Sequence, residues 1–114
     1  MKISEIVKMI GGSVVAGNKN SDIEFEMAFA SDLMSDVLTV KTDNLLLLTG
    51  LVNIQAIRTA EMSDIACIIF VRNKKVTAEM IRIATESKIT IIQSPFSMFK
   101  VSGLLYNTGI KPVF

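Results

Sequence analysis

The chain has 114 residues, half of them apolar and a fifth charged, which suffices to bury one core without disulfide or metal staples and lies far from the composition of disordered chains. Twelve basic residues against eleven acidic ones leave a formal charge of +1, so no cationic footprint for nucleic acid is expected. Histidine is absent, which excludes Ser-His-Asp and Cys-His catalysis and removes most zinc sites.

The chain opens with Ile3, Ile6, Val7 and Ile10 at helical spacing, and Gly11-Gly12 closes this helix as a C-terminal glycine cap. Val14 to Ala16 is a short strand candidate, followed by a Gly, Asn and Ser rich turn from Gly17 to Asp22. From Ile23 to Ala30 apolar residues alternate with Glu24, Glu26 and Ala28. This period of two predicts a half-exposed strand near a sheet edge, with Ile23, Phe25, Met27 and Phe29 on one face. Ser31 or Asp32 is the expected cap of a short helix over Leu33 to Val37.

The second half is more regular. Leu45 to Leu48, Ala66 to Val71 and Thr90 to Ile92 are strand-like runs that begin 21 to 24 residues apart, each followed by a helical pattern. A repeated strand-helix unit implies right-handed crossovers and a largely parallel sheet, hence an α/β fold. The first helix carries Ile54, Ile57 and Ala60, and the second starts at Thr77. For the third, Ser94-Pro95 is the expected cap, Phe96, Phe99, Leu104 and Leu105 the buried stripe, and Gly109 the stop. No linker or low-complexity stretch interrupts this order, so residues 1–114 are expected to form one domain.

Ligands of open α/β sheets bind outside the C-terminal strand ends. The tightest such place is Thr49-Gly50-Leu51-Val52-Asn53, where a buried strand ends and a helix begins. Glycine there allows close backbone approach, and amides at a helix N-terminus suit an anion. An ordinary turn with Asn53 as helix cap explains the same residues. Ser31-Asp32 and Ser94-Pro95-Phe96-Ser97 follow other strands and could line the same crevice, although capping accounts for each. Arg72-Asn73-Lys74-Lys75 is the one basic run, readable as a solvated loop or as neutralisation of an anionic ligand.

No carboxylate pair has the spacing of general acid and base, and neither a GxxxxGK[ST] loop nor a GxGxxG fingerprint occurs. No catalytic residues, metal ligands or cofactor are therefore assigned. Cys67 lies inside an apolar run and is expected as a small buried hydrophobe. No run approaches the roughly 18 apolar residues of a membrane span, and the N-terminus has no secretory pattern. A cytoplasmic protein is the expectation.

The block DNLLLLTGLVNIQAIRTAEMSDIACIIFVRNKK, continued by ITIIQSPFSMFKVSGLLY and preceded by AFASDLMSDVL, resembles the DRTGG domain from about Lys2 to Gly109. The letters that name that family are not present, Asp43, Thr49 and Gly50 being a loose echo of them. The resemblance implies a three-layer α/β/α sandwich similar to the N-terminal domain of HPr kinase/phosphorylase, and more distantly to that of Mur ligases. It implies a regulatory or assembly module of the kind found beside CBS domains, in some phosphotransacetylases, and as stand-alone copies near iron-only hydrogenases. Catalysis in HPr kinase belongs to a phosphate-loop domain that this chain lacks. In Mur ligases a Ser-Arg pair helps hold a uridine nucleotide, whereas the corresponding place here is Ser31-Asp32, whose carboxylate opposes a phosphate.

Two functions follow from this reading. The first is a non-enzymatic, ligand-sensing domain that takes a small anionic metabolite or nucleotide at the strand ends through Thr49, Gly50 and Asn53, with Ser31 and Ser94 lining the pocket. The second is a homodimeric interaction module, possessing an apolar strand edge near Met27 and Phe29 and serving a hydrogenase or another redox system.

Overall fold

The computed structural model describes residues Met1–Phe114. In chain order the elements are α1 (Ile3–Met9), β1 (Ser13–Ala16), β2 (Met27–Ala30), α2 (Met34–Val37), β3 (Leu45–Thr49), α3 (Ile54–Met62), β4 (Cys67–Phe70), α4 (Ala78–Glu86), β5 (Thr90–Gln93), α5 (Met98–Asn107) and β6 (Lys111–Pro112). One six-stranded sheet has the order β1-β5-β4-β3-β2-β6. All neighbours are parallel except β1, which runs antiparallel to β5.

The apolar run of β3 is continuous because helices cover both faces of the sheet. Leu45 and Leu47 enter a core shared with Ile68, Phe70 and Ile91, capped by Met34 and Val37 of α2, Ile57 of α3 and Met80 and Ile83 of α4. Leu46 and Leu48 point the other way, into a core with Cys67, Ile69 and Ile92 closed by Ile3 and Ile6 of α1 and Val101 and Leu105 of α5. Each leucine of this run is at most 1% exposed. Burial of such a side chain is worth about 1.5–3 kcal/mol, so the central strands anchor the three-layer α/β/α sandwich from both sides. No helix is long and apolar enough to cross a membrane.

Helix α1 ends as the sequence implies. Gly11 adopts a φ of +60°, and the Gly12 amide donates to the Val7 carbonyl at 2.9 Å, the wide bond of a Schellman turn.

Three expectations need correction. The period of two does not run from Ile23 to Ala30, because Phe25 packs in the α1/α5 core while Met27 and Phe29 lean on the opposite one. Phe25 exchanges backbone hydrogen bonds with Met1, at 2.8 Å from its amide and 2.7 Å to its carbonyl, which turns its ring away from the β2 face. The edge beside Met27 is also not bare, since β6 of the same chain pairs with Met27 and Ala28. In α5 the cap is Ser97, whose Oγ accepts the Lys100 amide at 3.1 Å. The later start rotates the helix so that Val101 and Leu105 are buried and Phe99 is 91% exposed.

Candidate functional site

Because β2, β3, β4 and β5 are parallel, their C-terminal ends emerge at one edge and bring three loops together. The centre of this edge is Gly50. Its amide donates to Asp32 Oδ1 at 2.6 Å, and the same oxygen accepts the Thr49 hydroxyl at 3.0 Å. Thr49 Oγ1 in turn accepts the Leu51 amide at 3.1 Å. From the β4 loop, Lys74 Nζ donates to the Gly50 carbonyl. Both backbone groups of Gly50 are thus held by side chains from other loops, and one of those side chains is an anion and the other a cation.

Gly50 is not in the left-handed region, so the turn itself does not demand glycine. A β-carbon there would sit 3.5 Å from both Asp32 oxygens and from Lys74 Nζ. Gly50 itself is buried, and what glycine provides is the close approach of the two charges from either side of the strand end rather than a positive φ.

The other sequence candidates fall in different places. Asn53 caps α3, its Oδ1 accepting the Ala56 amide at 2.9 Å. Ser31 lies beside Asp32, but its Oγ accepts the Leu33 amide at 3.0 Å and closes a local turn, while Leu33, with no side-chain hydrogen bond, stands at the helix start. Neither Ser31 nor Asp32 is the cap of α2. Ser94 is not the cap of α5 either. It is fully buried, donates to the Ile10 carbonyl at 2.7 Å and accepts the Phe96 amide at 3.2 Å, so its hydroxyl pins the end of β5 to the end of α1. Replacing Ser94 by Ala should lower stability by about 1–2 kcal/mol through the orphaned partners and leave ligand affinity at the Gly50 edge unchanged; chemical denaturation alongside calorimetry reads both.

The β4 loop is held in an unusual conformation. Arg72 and Asn73 have φ of 66° and 57°, a region that asparagine tolerates and that costs arginine about 1–2 kcal/mol. Their amides donate to the carbonyls of Phe96 at 2.7 Å and Ser94 at 2.9 Å, which holds the bend. The bend delivers Lys74 to Gly50 and leaves Arg72 and Lys75 exposed beside it. Asp32 and Lys74 are the residues the sequence alone did not place at the centre. Their partners lie 18 and 24 positions away, beyond any local periodicity.

No three His, Cys, Asp or Glu side chains meet closely enough to hold a metal ion. Cys67 is buried in β4, and burial pushes its thiol far above its ordinary range, which suppresses the nucleophilic thiolate.

The fold is similar to that of the CBS and DRTGG domains of the regulatory region of Clostridium perfringens pyrophosphatase, solved in complex with the activator diadenosine tetraphosphate. The TM-score is 0.78 at 15% identity, and the match covers 98% of this chain and 48% of that one. The present chain therefore spans about half the length of that structure. No curated protein sequence matches it. The DRTGG domain matches residues 5–108, nearly the whole chain and both helix layers of the sandwich, and this chain belongs to the DRTGG domain family.

Proposed function

We propose that this chain is a non-enzymatic regulatory domain that binds a small anionic metabolite or nucleotide at the C-terminal strand ends. The observation that carries this reading is the charged cluster around Gly50. There the cations Arg72, Lys74 and Lys75 gather after β4, and the carboxylate of Asp32 is already engaged by Thr49 and Gly50. An ammonium has three donors. Lys74 spends one on Gly50 and keeps two for an anion. Ser31 and the Asn53 side-chain amide nitrogen border the same loops and supply neutral hydrogen bonds, whereas the buried Ser94 hydroxyl ties β5 to α1 and takes no part in binding. The similar pyrophosphatase region is itself regulatory and was solved with a nucleotide activator, which agrees in chemical class. The missing histidine and the buried Cys67 argue against catalysis.

Thermal denaturation with AMP, ADP, diadenosine tetraphosphate and acetyl phosphate tests the proposal. A ligand that binds the native state at 100 times its Kd adds about 2.7 kcal/mol, a shift of several degrees. A flat response across this panel would remove the reading. Gly50→Ala sharpens the test, since its β-carbon meets neighbours only at ordinary contact distance. Stability should change by less than about 1 kcal/mol, while the methyl added between Asp32 and Lys74 weakens binding.

A homodimer is the second reading. It is favoured by Phe99 and Tyr106, 91% and 67% exposed on α5, apolar area of the kind interfaces cover. Sedimentation at micromolar concentrations decides it, a strict monomer counting against.

A further inference from the structure

A concavity lies on the opposite side of the β2/β3 ends from α2–α4. It is a cavity of about 300 Å³ between the ends of β2 and β3, helix α5 and the segment after Ile110. Nine of its twelve lining residues are hydrophobic, so the body of any occupant is apolar. Three of the chain's seven aromatic side chains, Phe29, Tyr106 and Phe114, are among them. Phe114 is 86% exposed and meets Phe29 edge to face, with ring centroids 5.9 Å apart and planes at 67°. Such rings present edges and faces to a third ring at the geometry that aromatic groups prefer.

Lys111 is the one charged residue of the lining. It pairs with no carboxylate in the structure, and no acidic residue lines the cavity. Ser102 adds a hydroxyl. The volume stands at the lower end of small-molecule sites, enough for one ring system with a short substituent and too small for a helix of a partner protein.

We propose that this cavity is a binding site for a small aromatic anion, a flat ring seated among Phe29, Tyr106 and Phe114 with its negative group on Lys111. The site uses none of Ser31, Thr49, Gly50, Asn53 or Lys74, so it does not depend on the reading of the Gly50 cluster.

The test is a backbone-amide NMR titration of the full chain with indole-3-acetate, with neutral indole and with acetate. Indole-3-acetate should give saturable shifts at Ala28–Ala30, Ser102–Tyr106 and Lys111–Phe114. Indole should bind up to about fivefold more weakly, the size of a solvent-exposed ion pair, and acetate should leave these amides unmoved. Lys111→Gln should bring indole-3-acetate and indole to equal affinity. Ala30→Leu, on an exposed strand position, should abolish binding by filling the space, and Ser102→Leu does the same from α5 if the strand variant does not fold. The proposal is overturned by the absence of saturable shifts in these segments, or by binding that survives both filling variants. Probe-free shifts of the same amides that grow with protein concentration would also overturn it, since a second copy would then occupy the cavity.

Discussion

Replacing Phe70 by alanine is expected to lower the unfolding free energy by about 3–5 kcal/mol, the largest effect of any single change considered. Phe70 is fully buried on β4, in register between Thr49 of β3 and Gln93 of β5. Its side chain belongs to the core under α2, α3 and α4, so its removal leaves a void bounded by three helices and the sheet. A domain of this size has about 5–15 kcal/mol in total, and the variant should unfold at a much lower urea midpoint. The consequence reaches the site. The Phe70 carbonyl accepts the Ser94 amide at 2.9 Å, two residues before the bend that delivers Lys74. Denaturant titration checks the energy, and a loss below about 1 kcal/mol would mean that the core relaxes into the space.

At the strand-end site the largest expected effect on binding belongs to Lys74→Glu. Reversing this charge removes the two free donors beside Gly50 and places a second carboxylate near Asp32. We expect affinity for an anionic nucleotide to fall on the order of 100-fold, equivalent to about 2.7 kcal/mol. Stability should change little, because the side chain is only partly buried and a single hydrogen bond to Gly50 contributes about 1 kcal/mol. The same reversal at Lys75, which is exposed and makes no hydrogen bond to Gly50, whose carbonyl Lys74 holds, should reduce affinity much less. Isothermal titration calorimetry of both variants separates a specific ammonium from general electrostatic attraction, and equal losses at the two positions would count against the Gly50 cluster.

The architecture was legible where burial is two-sided. Leu45–Leu48 and Ala66–Val71 read as unbroken apolar runs because helices cover both faces of the strands they form, and the interval between runs encodes the crossover helices. The sandwich and the parallel core strands follow from that pattern together with the family resemblance. Where one backbone contact overrides periodicity, the reading failed. Phe25 leaves the β2 face because it pairs with Met1. Ser94 looked like a helix cap because Ser-Pro often is one, yet its hydroxyl is consumed by a carbonyl 84 residues away. The two-residue β6, Lys111–Pro112, carries no alternation at all, so the covering of the β2 edge was invisible.

The candidate site was legible as a position and not as a mechanism. Thr49 and Gly50 mark a strand end that any parallel repeat exposes. The Asp32 carboxylate that binds them and the Lys74 ammonium opposite are long-range partners, set by which loops the strand order brings together. The aromatic cavity is harder still to read, because its walls come from β2, α5 and the last segment of the chain, none of which is remarkable alone in composition.

The most direct test of the central claim is a backbone-amide NMR titration of the native chain and of Lys74→Glu with ADP and with diadenosine tetraphosphate. Anion binding at the strand ends predicts saturable shifts confined to Ser31–Asp32, Thr49–Ile54 and Arg72–Lys75, which disappear in the variant. No saturable shift with either nucleotide, or shifts that persist unchanged in Lys74→Glu, would contradict it.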